Sequence, residues 1–152
     1  MRSTRQITKA MELVAASKMR RAQEAALRSR DYRNLALEIL TRLSQLTDIY
    51  KHPLYIKRTI KSRLIIVITS DRGLAGAYNS NVLKQLTKDL MRDNQDNITS
   101  KVIVVGKQGF KFASSLKDVE IVAAYQDFPD SPSANDLRPI LTTIIEQFIS
   151  RH

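Results

Sequence analysis

From Thr4 to Leu46 the chain carries neither glycine nor proline, and apolar or small residues fall on one line. They are Ile7, Met11, Val14, Ala22, Ala25, Ser29, Tyr32, Ala36, Ile39, Leu43 and Leu46, with Lys18 in the gap. Steps of three and four alternate, except for an extra four-residue step near Lys18. This spacing predicts a long helix with a coiled-coil seam whose left-handed supercoil relaxes locally at Lys18. Ala, Leu, Arg, Met, Glu and Gln, all strong helix formers, dominate the segment. About 43 helical residues make a rod of roughly 65 Å. A domain of about 100 residues has a radius of gyration near 13 Å, so the rod outreaches the rest of the chain. Its apolar seam requires a partner. Ala22, Ala25, Ala26 and Ser29 let another helix approach closely.

The pattern changes after a hinge at His52-Pro53. Arg63–Thr69 is a continuous apolar run and predicts a strand buried on both faces. Ser70–Tyr78 is a glycine-containing turn and Asn79–Asn94 a helix. Lys101–Val105 is a second strand, followed by Gly106 and a short helix over Gln108–Leu116. Val119–Ala124 is a third strand, Gln126–Ala134 a loop with two prolines, and Asn135 or Asp136 caps a last helix running to about Ser150. The alternation predicts a small parallel-sheet, Rossmann-like α/β domain over residues 53–152, behind a long N-terminal helix over residues 1–52.

Charge sharpens this division. Net charge is +10, with a pI near 10.1. Between Met1 and Leu46 ten Lys or Arg residues face four acids, an excess of six. The basic character therefore sits mainly on the rod and calls for an anionic partner. There are no cysteines, which excludes disulfides, thiolate metal sites and a cysteine nucleophile and suits a reducing compartment. No apolar run approaches the ~20 residues of a membrane span, and the first residues lack the apolar stretch of a signal peptide.

Few residues suggest chemistry. Ser70-Asp71-Arg72-Gly73-Leu74-Ala75-Gly76-Ala77-Tyr78-Asn79 lies where a doubly wound fold keeps its ligand. Its spacing matches neither the dinucleotide nor the P-loop fingerprint. We read it as a structural turn, with Gly73 and Gly76 for positive φ and Asp71 and Asn79 as local caps. Gly106-Lys107-Gln108-Gly109 has the form of an RNA-gripping GxxG loop but is better read as a strand-end turn into a helix. His52 and His152 lack a spaced ligand set. Asp127 and Asp130 read as solvated loop carboxylates. No catalytic, cofactor-binding or metal-binding residue is assigned. The basic helix has Tyr32 but no aromatic interleaving, which disfavours nucleic acid.

Three segments carry a resemblance. Gln6-Ile7-Thr8-Lys9-Ala10-Met11-Glu12-Leu13-Val14-Ala15-Ala16-Ser17-Lys18-Met19-Arg20-Arg21-Ala22 resembles the N-terminal helix signature of the gamma subunit of F-type ATP synthases. Ser70–Asn79 resembles that family's second hallmark, at the first strand of its α/β domain. Val105-Gly106-Lys107-Gln108-Gly109 resembles the third, and order and spacing agree. The resemblance implies a non-catalytic central-stalk rotor subunit without cofactor. It implies an antiparallel coiled coil with a C-terminal helix, and contact with the alpha3beta3 hexamer, the epsilon subunit and the membrane c-ring. Lys9, Met11, Lys18, Arg20 and Arg21 become candidate contacts to the beta subunits, whose lever loops are acidic. It implies a peripheral position on the cytoplasmic face of a bacterial plasma membrane, or the mitochondrial matrix equivalent, with the membrane touched only through the c-ring. Lack of cysteine argues against a redox-regulated chloroplast type. Measured against the family pattern, the chain reads as shortened at both ends, without the final sheet strand and long C-terminal helix. The rival readings are a small α/β nucleotide-binding enzyme domain and a basic nucleic-acid-binding module.

Overall fold

The computed structural model describes residues 2–45, 52–56, 58–117 and 119–150. Its contacts divide the chain into two units, Met1–Ile56 and Lys57–His152. The first unit is dominated by one uninterrupted helix, α1 (Arg2–Leu43). The expected Thr4–Leu46 helix is therefore observed with its ends shifted, and Leu46 lies outside the described residues. Intrahelical pairs Arg20–Glu24 (3.0 Å) and Arg42–Glu38 (2.6 Å) lie on its surface. Each contributes only a few tenths of a kcal/mol, about 0.3–0.5. The expected hinge at His52-Pro53 is a single 3₁₀ turn over Pro53–Tyr55, in which His52 Nδ1 accepts from the Leu54 amide at 3.3 Å.

The second unit is the expected α/β domain. Its elements are β1 (Ser62–Ile68), α2 (Tyr78–Gln95), β2 (Thr99–Val105), α3 (Lys107–Ala113), β3 (Glu120–Tyr125) and α4 (Ala134–Ile149). The three strands form one parallel sheet in the order β1-β2-β3. Ser62 pairs with Thr99 and Ile68 with Val105. On the other side Lys101 pairs with Glu120 and Val105 with Tyr125, through a register shift at Val102/Ile103.

β2 is the strand buried on both faces. Val102, Ile103 and Val104 have no exposed surface, and Val105 is also buried. Each such side chain contributes about 2 kcal/mol of transfer free energy. Val102 and Val104 meet Val67, Leu86 and Ala113 in the core under α2 and α3, joined at its margin by Ile65, Leu90 and Phe110. The apolar run of β1 led to the same expectation there, and the structure corrects it. β1 is an outer strand whose Ile66 and Ile68 remain 42% and 57% exposed. A continuous apolar run marks a strand covered on both faces only when neighbours and helices flank it.

The N-terminal edge of the sheet is locked by charge. Asp93, near the end of α2, is fully buried. Its carboxylate takes the Arg63 guanidinium from β1 and the Ser100 hydroxyl from β2, the latter at 2.6 Å. Lys101 is paired with Glu120 between β2 and β3. The cap of α4 differs from expectation. Ser133 is the N-cap, and Asp136 stands at the third helical position in a reciprocal capping box. Asp136 Oδ2 accepts from the Ser133 amide at 2.8 Å and its hydroxyl at 2.6 Å. A serine with an acid three residues on satisfies two orphan donors together, which neither Asn135 nor Asp136 alone would do.

Two outcomes follow. Asp93→Ala removes the partner of Arg63 and Ser100; because Arg63 is partly solvated, the loss is about 3 kcal/mol rather than more. Urea unfolding of the variant measures it, and the same stability as the parent would contradict the lock. The Ser133 hydroxyl, then its amide, hold the Asp136 carboxyl below its ordinary 3.8. Depressed in the folded state, that carboxyl stabilises the fold above its unfolded pKa, and the contribution fades as pH falls through the folded value. A carbon-detected NMR titration places its midpoint below 3.8, and Asp136→Asn removes the effect.

Candidate functional site

Two regions carry the residues singled out in the sequence. The first is α1. At about 100° per residue, Lys9 and Arg20 fall on one side of the helix, Met11 and Lys18 on the opposite side, and Arg21 between them. They form a band around the rod within about 18 Å of its length, and all five residues are exposed. Arg20 leans on Glu24. Lys18 lies within the seam that Ile7, Met11, Val14, Tyr32, Ile39 and Leu43 define, and those apolar side chains are exposed, Met11 by 61%.

The seam is not the whole apolar surface. Leu13 and Leu27 lie on the far side of the helix, with Leu35 on one flank and Met19 and Leu37 on the other; all five are exposed. They keep no regular step and so do not stand out as a line in the sequence. Taken around the whole circumference, they make α1 apolar on more than one side. A helix of that kind is normally enclosed by other protein.

The second region is the C-terminal edge of the sheet. The turn residues Ser70, Asp71, Gly73, Gly76 and Asn79 lie here, but the structure gives several of them other tasks. Asn79 does not cap α2, whose N-cap is Ala77 with no side-chain bond. Instead its Oδ1 accepts from the Ser70 amide at 3.1 Å and its Nδ2 donates to Ser70 Oγ at 2.8 Å. Asp71 serves α3, not α2. One of its oxygens accepts from the Lys107 amide at 3.0 Å and the Asp127 amide at 3.2 Å. Of the two glycines, Gly76 has the expected positive φ of 57°; at the other place the left-handed residue is Leu74 (φ 63°), not Gly73. Leu74 is fully exposed.

Lys107 and Asp127 complete this clasp. Lys107 Nζ reaches the Asp127 carboxylate at 2.5 Å. Asp127, expected as a merely solvated carboxylate, thus also ties the loop after β3 to the start of α3. Deeper down, Thr69 Oγ1 accepts from the Gly109 amide at 2.8 Å. The Gly106 segment is a turn into a helix, as expected. Gly106 has φ 100°, and a Cβ there would overlap the Thr69 carbonyl. Glycine is required at this point by close packing of β1 against the β2–α3 turn.

This arrangement bears on ligand chemistry. A phosphate at a strand end needs free amides and a positive field. Here the amide that opens α3 already holds a carboxylate of the chain itself. The residues fit an internally satisfied joint between three loops better than a nucleotide cradle. Among the described residues no group of three or more His, Cys, Asp or Glu is placed to hold a metal ion.

The sequence model of the ATP synthase family matches residues 1–152. The chain is 35% identical over 147 residues to the ATP synthase gamma chain of Psychrobacter arcticus, covering 97% of itself and 50% of that protein. This chain belongs to the ATP synthase gamma-chain family. Other members include the gamma chain of Opitutus terrae, 38% identical over 148 residues, covering 97% of this chain and 47% of that one. The gamma chain of Acidithiobacillus ferrooxidans is 39% identical over 136 residues, covering 90% and 47% respectively. The chain spans about half the length of the curated relatives it matches.

Gly106→Ala tests the joint. The added methyl meets backbone, and the positive φ adds strain, so the variant loses more than about 3 kcal/mol or fails to fold. Circular dichroism with urea unfolding reads the loss; a parent-like midpoint would show that the turn can relax.

Proposed function

We propose that this chain acts as a central-stalk component of an F-type ATP synthase, making and breaking no bonds itself. The observation that carries this reading is α1: apolar side chains exposed on several sides of one long helix, ringed by Lys9, Lys18, Arg20 and Arg21. Such a rod suits enclosure by several subunits at once, and its basic band suits acidic loops. The partners are a ring of alpha and beta subunits around α1, with epsilon and the c-ring beside the α/β domain. A helix partner on the seam would complete an antiparallel coiled coil. The setting is the cytoplasmic face of a bacterial membrane. No helix among the described residues is long and apolar enough to cross a membrane; in this reading the c-ring makes the membrane contact.

The mechanism is that of an asymmetric cam. Different sides of α1 carry different side chains, so turning the rod changes what each catalytic subunit touches. Coupling then follows from differential contacts in the two states of each subunit. Driving such a subunit almost completely from one state to the other takes about 5.5 kcal/mol. An exposed ion pair supplies at most about 1 kcal/mol. The cations cannot do this singly; Lys9, Lys18, Arg20 and Arg21 must act together and with apolar neighbours such as Met11. The α/β domain needs a firm joint rather than a pocket, which accords with the clasp of Asp71, Lys107 and Asp127.

The test combines charge reversal with activity. The chain is expected to be retained by co-expressed alpha and beta subunits at low salt, and Lys18→Glu/Arg20→Glu/Arg21→Glu to weaken retention tenfold or more while helix content stays unchanged. The purified chain is expected to show no ATP turnover. Intrinsic turnover would favour the enzyme reading. Unchanged retention by the triple variant would remove the basic band from the interface.

A further inference from the structure

The α/β domain carries its positive charge on one side. α2 packs Val82, Leu86 and Leu90 against the core. At about 100° per residue, Lys84, Lys88, Met91 and Arg92 then point away from the sheet, and all four are exposed. α3 packs Phe110 and Ala113 against the same core, which turns Lys111 outward. Lys107 and Lys117 flank it, and these three are also exposed. Each helix leads from the C-terminal end of one strand to the N-terminal end of the next, so the two run in the same direction. Lys84 and Lys111 stand in their second turns, and Arg92 and Lys117 at the other end. The cations form one field across both helices.

Little on this side opposes them. Asp89 is taken by Arg92 at 3.7 Å and by Gln85 at 3.1 Å. Asp93 is buried against Arg63, and Asp127 is held by Lys107. Among the described residues no carboxylate pairs with Lys84, Lys88, Lys111 or Lys117. Lys84–Lys88, Lys88–Arg92 and Lys107–Lys111 are like charges four residues apart, a spacing that weakens each helix slightly. α1 does the reverse, with Arg20–Glu24 and Glu38–Arg42. An anionic surface laid on α2 and α3 turns this repulsion into attraction.

The other side of the sheet differs in kind. Val105 and its partner Tyr125 face away from α2 and α3, and the Tyr125 hydroxyl lies 3.3 Å from Thr143 Oγ1 of α4. Outward on α4 are Leu137, Leu141 and Ile145, 40–55% exposed. Protein partners favour such apolar ground. Lysine is depleted at their interfaces, which centre on aromatic and arginine anchors. On α2 and α3 every outward cation but Arg92 is lysine. No aromatic side chain stands among them, since Phe110 and Phe112 pack against the core and the Tyr78 hydroxyl donates to the Ile68 carbonyl. A layer of lipid phosphates asks for many flexible cations, and clusters of about four to eight suffice. Met91, 62% exposed in their midst, supplies an apolar side chain to dip between headgroups.

We propose that the α2–α3 side of the domain binds anionic phospholipid headgroups. The surface is argued from the domain alone. Its setting at a membrane rests on the rotor reading, in which this direct contact joins the one made through the c-ring. Long flexible side chains without fixed partners keep no register, so the contact slides as the domain turns.

Vesicles of equal parts phosphatidylcholine and phosphatidylglycerol, with pure phosphatidylcholine as the control, test the proposal. The chain has no tryptophan, so Met91→Trp reports on this side alone. Its emission shifts to the blue with the anionic vesicles and not with the control, whereas Leu141→Trp on α4 stays unshifted. In co-sedimentation, Lys84→Glu/Lys88→Glu/Lys111→Glu weakens binding about tenfold or more, and the same charge change at Lys18, Arg20 and Arg21 of α1 weakens it less than about threefold. Lys84→Gln/Lys88→Gln/Lys111→Gln replaces the first variant if it does not fold. An unshifted Met91→Trp, a shift at Leu141→Trp instead, or equal losses in the two charge variants overturns the proposal. Retention by alpha and beta subunits is unchanged in the α2–α3 variant, so failure here and failure of the rotor reading are told apart.

Discussion

A strand with no exposed face obliges the structure on both sides of it. Val102, Ile103 and Val104 of β2 are completely buried, so the sheet must be covered twice. α2 and α3 provide one cover, and α4, whose Thr143 hydroxyl meets that of Tyr125 from β3, lies against the other. Most of the remaining architecture follows. Two successive crossovers on one face accompany the order β1-β2-β3. The outer position of β1 is a result of this arrangement and not of its composition, which is as apolar as that of β2.

The same requirement applied to α1 has a different outcome. Its side chains include enough leucine, isoleucine and methionine to be covered, yet within its own unit they are exposed. Helices of ordinary composition draw most of their stability from packing. Most of the net positive charge is gathered on the same element.

Much of this was legible in the sequence, for reasons that particular residues make clear. The absence of Gly and Pro before Leu46 and the three-four spacing gave α1 directly. Lys101–Val105 gave β2, and the strand–helix alternation gave the parallel sheet. What escaped depended on neighbours distant in the chain. Whether an apolar strand is central or outer is decided by crossovers, so β1 and β2 could not be ranked from their own residues. Asp71 was legible as a cap, but the amides it accepts from are those of Lys107 and Asp127, 36 and 56 positions away. Ser133 shows the reverse case, where the residue just before the expected caps made the capping bond, while Asn79 left its own helix for Ser70, nine positions back. The turn glycines were read from type alone, and Leu74 took the conformation expected of Gly73.

The Asp71 carboxylate also has a mechanical meaning. One oxygen holds amides from two loops that follow different strands, while the Asp71 backbone belongs to a third. Shear applied at any one of these loops is passed to the other two, and separating them requires two charge-assisted bonds to break together. A part built this way resists splaying at its strand ends without depending on a ligand to hold it closed.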